Sequence, residues 1–186
     1  MASPALPGVF FCFAAMVLLI FVSVSSPTWQ SVSFLHVGSG SSTVRYGVFG
    51  FTGHSPSVGY RFQDNPRLQS SIIRSLTRTL ILHPLAAGIT GFAFFAGLFG
   101  LAFHRVGTII MALLSGLAFL VIFVAWIIDM ILFGIARQRY RNQGDRAQYG
   151  NANWLTLGAL VALVFGFCLS AFGALGSYKR RTRSTY

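Results

Sequence analysis

The chain has 186 residues, with 14 lysines and arginines against three acidic residues and a formal charge of +11. Only 9% of the residues are charged, where a soluble domain carries roughly 25%, and the mean hydropathy is +0.68. The apolar residues fall in long blocks, which points to a membrane protein and sets aside a nucleic-acid binder, since no nucleic-acid motif accompanies the charge.

The first block runs from Gly8 to Val24. At 1.5 Å per residue it reaches about 25 Å, just enough for a bilayer core. A cleaved signal peptide is the rival reading, but "MASPALP" lacks a basic n-region, so a retained span is expected. Cys12 lies in this block and Cys168 in the last one. No His/Cys spacing suits a metal, so both are expected as small buried groups, with no metal or cofactor. No N-glycosylation sequon occurs.

The loop from 25 to 80 reads as folded. "SVSFLHV" alternates polar and apolar residues, "GSGSS" supplies a turn, and "TVRYGVFGF" reads as a second strand. A hairpin alone is marginal, so it should lie on the helix ends. "DNPRLQSSIIRSLTRTLIL" then reads as an amphipathic helix. Asn65 can cap it and Pro66 can open it. Leu68, Ile72, Ile73, Leu76 and Leu80 fall on one face, with Arg67, Arg74 and Arg78 on another. Pro84 should kink the path or start a new helix. His36 and His54 read as surface or packing histidines.

The second span runs from about 85 to 103. His104 and Arg105 end it, and the third follows at once, which forces an antiparallel hairpin. The third span, 106 to 135, is about 45 Å long and should tilt or project past the headgroups. The fourth is 155 to 175, followed by a basic tail, 176 to 186. These elements predict an all-α membrane protein in a single domain of residues 1–186. It is a four-helix transmembrane bundle with a small β-hairpin or sheet and an amphipathic helix in its first loop. Trp29 and Trp154 fit an aromatic belt on one side.

Small residues draw helices together in lipid. Gly158, Ala162, Gly166, Ser170 and Ala174 recur every four residues on the fourth span and suit either packing within the chain or a homo-oligomer seam. Asp129 is the one acid inside a span. It lies six residues before Ile135, near the interface. His83, Arg78 and Asn153 are at its level, with Asn151 beside the last. The expected role is a polar lock between spans two and three; proton sensing through Asp129 and His83, or transport, are the alternatives. Lys179, Arg180, Arg181 and Arg183 suit anionic lipid or a topology signal. No Ser/His/Asp set or phosphate loop supports an enzyme, and three acids leave little for acid–base work.

Even parity puts both termini on one side. Counting arginines and lysines would place that side outside. The stretches "YGVFGF…PSVGY", "LILHPLAAG", "DMILFGIARQR" and "YGNANWLTLGA", in this order, resemble the PalI family of fungal four-span plasma-membrane proteins, more distantly similar to claudins. The resemblance overrules the charge count and implies cytosolic termini and an extracellular first loop. It further implies a non-enzymatic accessory or scaffold role beside ambient alkaline-pH sensing, with a seven-span sensor as partner. Related members mark eisosome domains and affect the cell wall, which is one alternative; direct pH sensing by the outer loop is another. Membrane lipids and a membrane protein are the expected partners, with no nucleic acid. Two departures accompany the resemblance. Thr52 stands near the position of an expected loop cysteine, and the tail is short, so a scaffold-like member fits better than tail-dependent signalling.

Overall fold

The computed structural model describes residues 6–38, 40, 43–62, 71–102 and 105–182, without the side chains of 102, 105 and 172–182. The proposed helix start at Asn65, Pro66, Arg67 and Leu68, the end of span two at His104, Arg183, and the side chains of Ala174, Lys179, Arg180 and Arg181 lie outside that description.

Four long apolar helices dominate: α1 (Leu6–Ser23), α3 (Leu82–Ala102), α4 (Arg105–Asn142) and α5 (Ala152–Thr182). Each is long and apolar enough to cross a membrane. α1 packs on α3 and α5, and α4 packs on the same two, so the bundle closes in the order α1, α3, α4, α5. A short helix, α2 (Ser71–Arg78), and a 3-10 turn over Thr79–Ile81 lead into α3. Pro84 sits in the first turn of α3, where its missing N–H deprives the helix of nothing. The expectation that it starts a helix describes what is found.

Several boundaries differ from the sequence reading. α3 begins at Leu82 instead of 85. α4 runs on to Asn142, seven residues past Ile135, because alternate arginines are good helix formers and do not break it. Gly144, at φ 93°, then turns the chain, with its N–H on the Arg141 carbonyl at 3.0 Å. α5 likewise starts at Ala152 and carries its helix through the basic tail to Thr182. On α2, Ile73 and Thr77 are buried but Ile72 is exposed, so the apolar face is narrower than the periodicity suggested.

The hairpin is part of a larger unit. Three short antiparallel strands, β1 (Leu35–Val37), β2 (Val44–Tyr46) and β3 (Ala147–Tyr149), form a sheet in the order β2-β1-β3. Leu35 pairs with Tyr46 on one side and Tyr149 on the other. The sheet and its loops form a cap over one end of the bundle. Two close approaches hold it there. A Cβ on Gly47 would lie 2.1 Å from the Ser26 carbonyl oxygen, and one on Gly150 would lie 1.9 Å from that of Ser33. Only glycine fits at either place.

The bundle interior is built from small residues: Ala15, Ala86, Ala118, Ala125 and Ala159 pack with Leu19, Ile122 and Leu163. Large groups such as Phe10, Phe92, Phe99, Leu113 and Leu120 face outward. This is the arrangement expected where the surroundings are as apolar as the core and close backbone approach supplies the packing. The cap interior is the reverse, with Phe34, Tyr46, Tyr60, Phe62, Phe133 and Tyr140 all buried.

Candidate functional site

The buried His83–Asp129 pair lies where the cap meets the bundle. His83 occupies the first turn of α3, held by the preceding 3-10 turn and Pro84. Its Nδ1 lies 3.1 Å from the Leu80 carbonyl. A carbonyl only accepts, so Nδ1 carries the hydrogen and the ring's orientation is set. The opposite nitrogen, Nε2, then lies 3.1 Å from Asp129 Oδ2. The two side chains are 0% and 1% exposed, so water does not screen them. The contact is within ion-pair distance but off the alignment of a hydrogen bond, and neither atom has a hydrogen-bond partner among the described residues.

Rings close the pair from the cap side. Phe34 meets the His83 ring edge-on with centroids 5.3 Å apart and stacks on Phe133 at 5.0 Å. The Phe34 carbonyl accepts from Gly150 N–H at 2.8 Å and from Asn153 Nδ2 at 3.0 Å. The residue that lids the His83–Asp129 pair is therefore tied to the loop before α5 and to its first turn.

Of the four residues proposed to cluster, the structure brings together two. Arg78 is exposed, and its side chain lies against Gly59 in the cap, where a Cβ would come within 2.5 Å of Cγ. One helical turn before His83, across the 3-10 segment, its arm points outward. Asn153 is buried but its Nδ2 serves the Phe34 carbonyl instead. Asp129 stands thirteen residues before the end of α4 instead of six before Ile135, about 20 Å along the helix. The last turns beyond it are the post on which the cap stands: Tyr140 meets Tyr46, hydroxyl to hydroxyl, at 2.8 Å.

The cap is hydrogen-bonded throughout. Ser25 Oγ accepts from Val48 N–H at 2.9 Å, and the Tyr60 hydroxyl donates to the Gly47 carbonyl at 2.8 Å. Burial first, then the nearby Tyr46 and Asp129, hold the Tyr60 hydroxyl well above its usual pKa, so it remains a donor. Asn151 Oδ1 accepts from Ser33 N–H at 3.2 Å while its Nδ2 donates to the Ser31 carbonyl at 2.8 Å. His36 contacts Ser33 Oγ through Nε2. Its burial, and secondarily Arg45, lower its pKa. His54 is exposed and stacks on Phe51.

The small-residue face of α5 meets α1. A Cβ on Gly8 would come within 3.4 Å of both the Gly166 carbonyl and the Ser170 nitrogen. Ala162, Gly166 and Ser170 are buried there, while Gly158 is exposed at the edge, near Leu18. Among the described residues no cluster of His, Cys, Asp or Glu could hold a metal.

The SUR7/PalI family profile matches residues 4–168, which takes in the cap and reaches into all four long helices. The chain belongs to the SUR7/PalI family. It is thus a multi-pass membrane protein of a non-enzymatic family. No curated protein matches it significantly. In this SUR7/PalI member, the Thr52 backbone N–H donates to the Arg45 carbonyl at 3.0 Å, and its hydroxyl adds a side-chain bond, accepting from Arg45 N–H at 3.3 Å. Sequence reasoning missed Phe34 and β3, and it placed Asn151 at the level of Asp129 without its bonds to Ser33 and Ser31. An asparagine before a span reads equally well as a simple turn.

Proposed function

We propose that this SUR7/PalI protein is a plasma-membrane scaffold or accessory subunit, with its cap outside and both termini cytosolic, that supports a partner membrane protein in ambient alkaline-pH sensing. One observation carries the reading. The buried polar pair inside the bundle is spent on the protein itself, with His83 and Asp129 facing each other under the Phe34 ring. Nothing in that arrangement offers a path for a transported ion, whereas a cap locked onto a helix bundle offers a rigid outer surface to a neighbour. The organisation of eisosome-like membrane domains is an alternative use of the same rigid body, and a homo-oligomer remains compatible with it. One further reading is direct pH response through the His83–Asp129 contact, which joins α3 to α4.

Mild-detergent copurification from native membranes tests the leading reading. A seven-span partner is the expected companion. Recovery of cortical membrane-domain proteins would move the function to domain organisation, and recovery of the chain alone would overturn both. Reaction of a cysteine placed at the exposed Ser55 with an impermeant thiol reagent on intact cells is expected if the cap is outside. Protection in intact cells with labelling after lysis would invert the topology.

A further inference from the structure

One surface of α4 is used by neither the bundle nor the cap. Leu117, Leu120, Val124, Ile127, Ile131 and Ile135 are all exposed. Each lies three or four residues from the next, so they form one stripe along the helix. Gln138 and Asn142 continue the same stripe and are also exposed. The stripe changes from apolar to polar at one level, just below β3.

At that level there is a cleft of about 570 Å3. Ile131, Gly134 and Ile135 line its apolar part, and Arg137, Arg141 and Tyr149 its upper part. The walls are built and not incidental. Gly134 leaves room for Tyr149, whose hydroxyl a Cβ there would approach to 3.3 Å. The Arg137 guanidinium lies over the Tyr149 ring, 4.9 Å from its centre, and its Nε is buried with no hydrogen-bond partner among the described residues. Arg141 is anchored through Nε on the Ala147 carbonyl at 3.2 Å. Among the described residues no carboxylate lines the cleft.

We propose that this cleft binds the phosphodiester headgroup of an anionic phospholipid in the cap-side leaflet, with one acyl chain lying on the apolar stripe of α4. Two fixed guanidiniums beside an amide and a phenol match a phosphodiester's acceptor oxygens. The apolar floor runs without a break into the face that the helix shows to the hydrocarbon, which a free phosphate would leave unused. The site lies at the opposite end of the bundle from the basic tail. It rests only on the chain crossing a membrane and not on the scaffold reading.

The test uses the full chain with Lys179, Arg180, Arg181 and Arg183 changed to glutamine, so that the tail contributes no charge. It is reconstituted in phosphatidylcholine nanodiscs with and without phosphatidylglycerol, and the phosphatidylglycerol retained on extraction is counted by native mass spectrometry. Selective retention is expected. Arg137→Gln with Arg141→Gln should lower the apparent affinity roughly twenty-five-fold, at about fivefold per arginine. Because those two changes also touch Tyr149 and Ala147, Gln138→Glu serves as a second probe: it sits on the exposed rim and places a negative charge where the phosphate would lie. It should also weaken retention. Retention unchanged in both variants, or no preference for phosphatidylglycerol over phosphatidylcholine, would overturn the site. Displacement of the lipid by millimolar inorganic phosphate would overturn the lipid in favour of a free anion.

Discussion

The cap and the bundle bury opposite kinds of side chain. The cap hides six large aromatic groups and ties its loops with hydrogen bonds, as in the Tyr46–Tyr140 and Tyr60–Gly47 contacts. The bundle hides alanines and turns its phenylalanines outward. The difference follows from what each part displaces. In water, removing a ring from solvent stabilises by about 25 cal/mol per Å², so the cap gathers its rings inside. In lipid that gain vanishes, and what remains is the closeness with which backbones can approach. The cap is therefore the watered part of the molecule, and the His83–Asp129 pair marks its floor.

Changes at that floor should have the largest effect, because they disturb both regions. Asp129→Ala or His83→Ala leaves a buried polar partner alone, which costs about 3–5 kcal/mol. The double change to leucine should recover most of the loss. Thermal unfolding in detergent measures both, and a double variant worse than either single one would show that the pair is not the fastener described. Breaking the cap alone comes next. Gly47→Ala forces a Cβ to within 2.1 Å of the Ser26 oxygen, at a cost of about 1–3 kcal/mol or somewhat more. Proteolysis should then attack the cap while helical circular dichroism persists. Gly107→Ala, whose Cβ would meet Gly100 Cα at 2.6 Å, should instead loosen α3 from α4 and leave cap proteolysis unchanged. If the two variants gave the same pattern, the separation into regions would be wrong.

A smaller effect isolates one bond of the cap. Tyr46→Phe and Tyr140→Phe should each lower stability by about 1 kcal/mol, and the pair together by little more than one alone, since both remove the same contact. Smallest is the acid response of His36. Its folded pKa is lowered, so protonation opposes the folded cap. Stability is complete above the unfolded value of about 6.5 and declines as the pH falls through the lower folded value. His36→Gln should flatten the acid side of the stability profile and leave the alkaline side alone. A profile unchanged below pH 6 would remove His36 from the account.

The comparison also shows which parts were legible along the chain. The four spans and the helix-opening Pro84 are signals of composition and local periodicity. So was the need for a partner to Asp129 at the level of His83, with an arginine an open alternative along the chain. Arg78 and Asn153 shared that level but not that fate. Arg78 leaves the helix on its exposed side, and Asn153 turns its amide to the Phe34 carbonyl. Level along a span is readable from residue number; azimuth around the bundle depends on how the helices pack.

The sequence by itself determined the number of spans, the small-residue faces that let them approach, and the one acid that an apolar helix could carry only with a partner. All of these follow from spacing within a single segment. The tertiary structure alone decided that the link between α4 and α5 would supply a third strand and that Asn151 would hold Ser33, 118 residues away. It alone decided that arginines on the projecting end of α4 would meet Tyr149 across a cleft. Those outcomes rest on the distance between separate segments once the bundle has closed, and no local pattern encodes that distance.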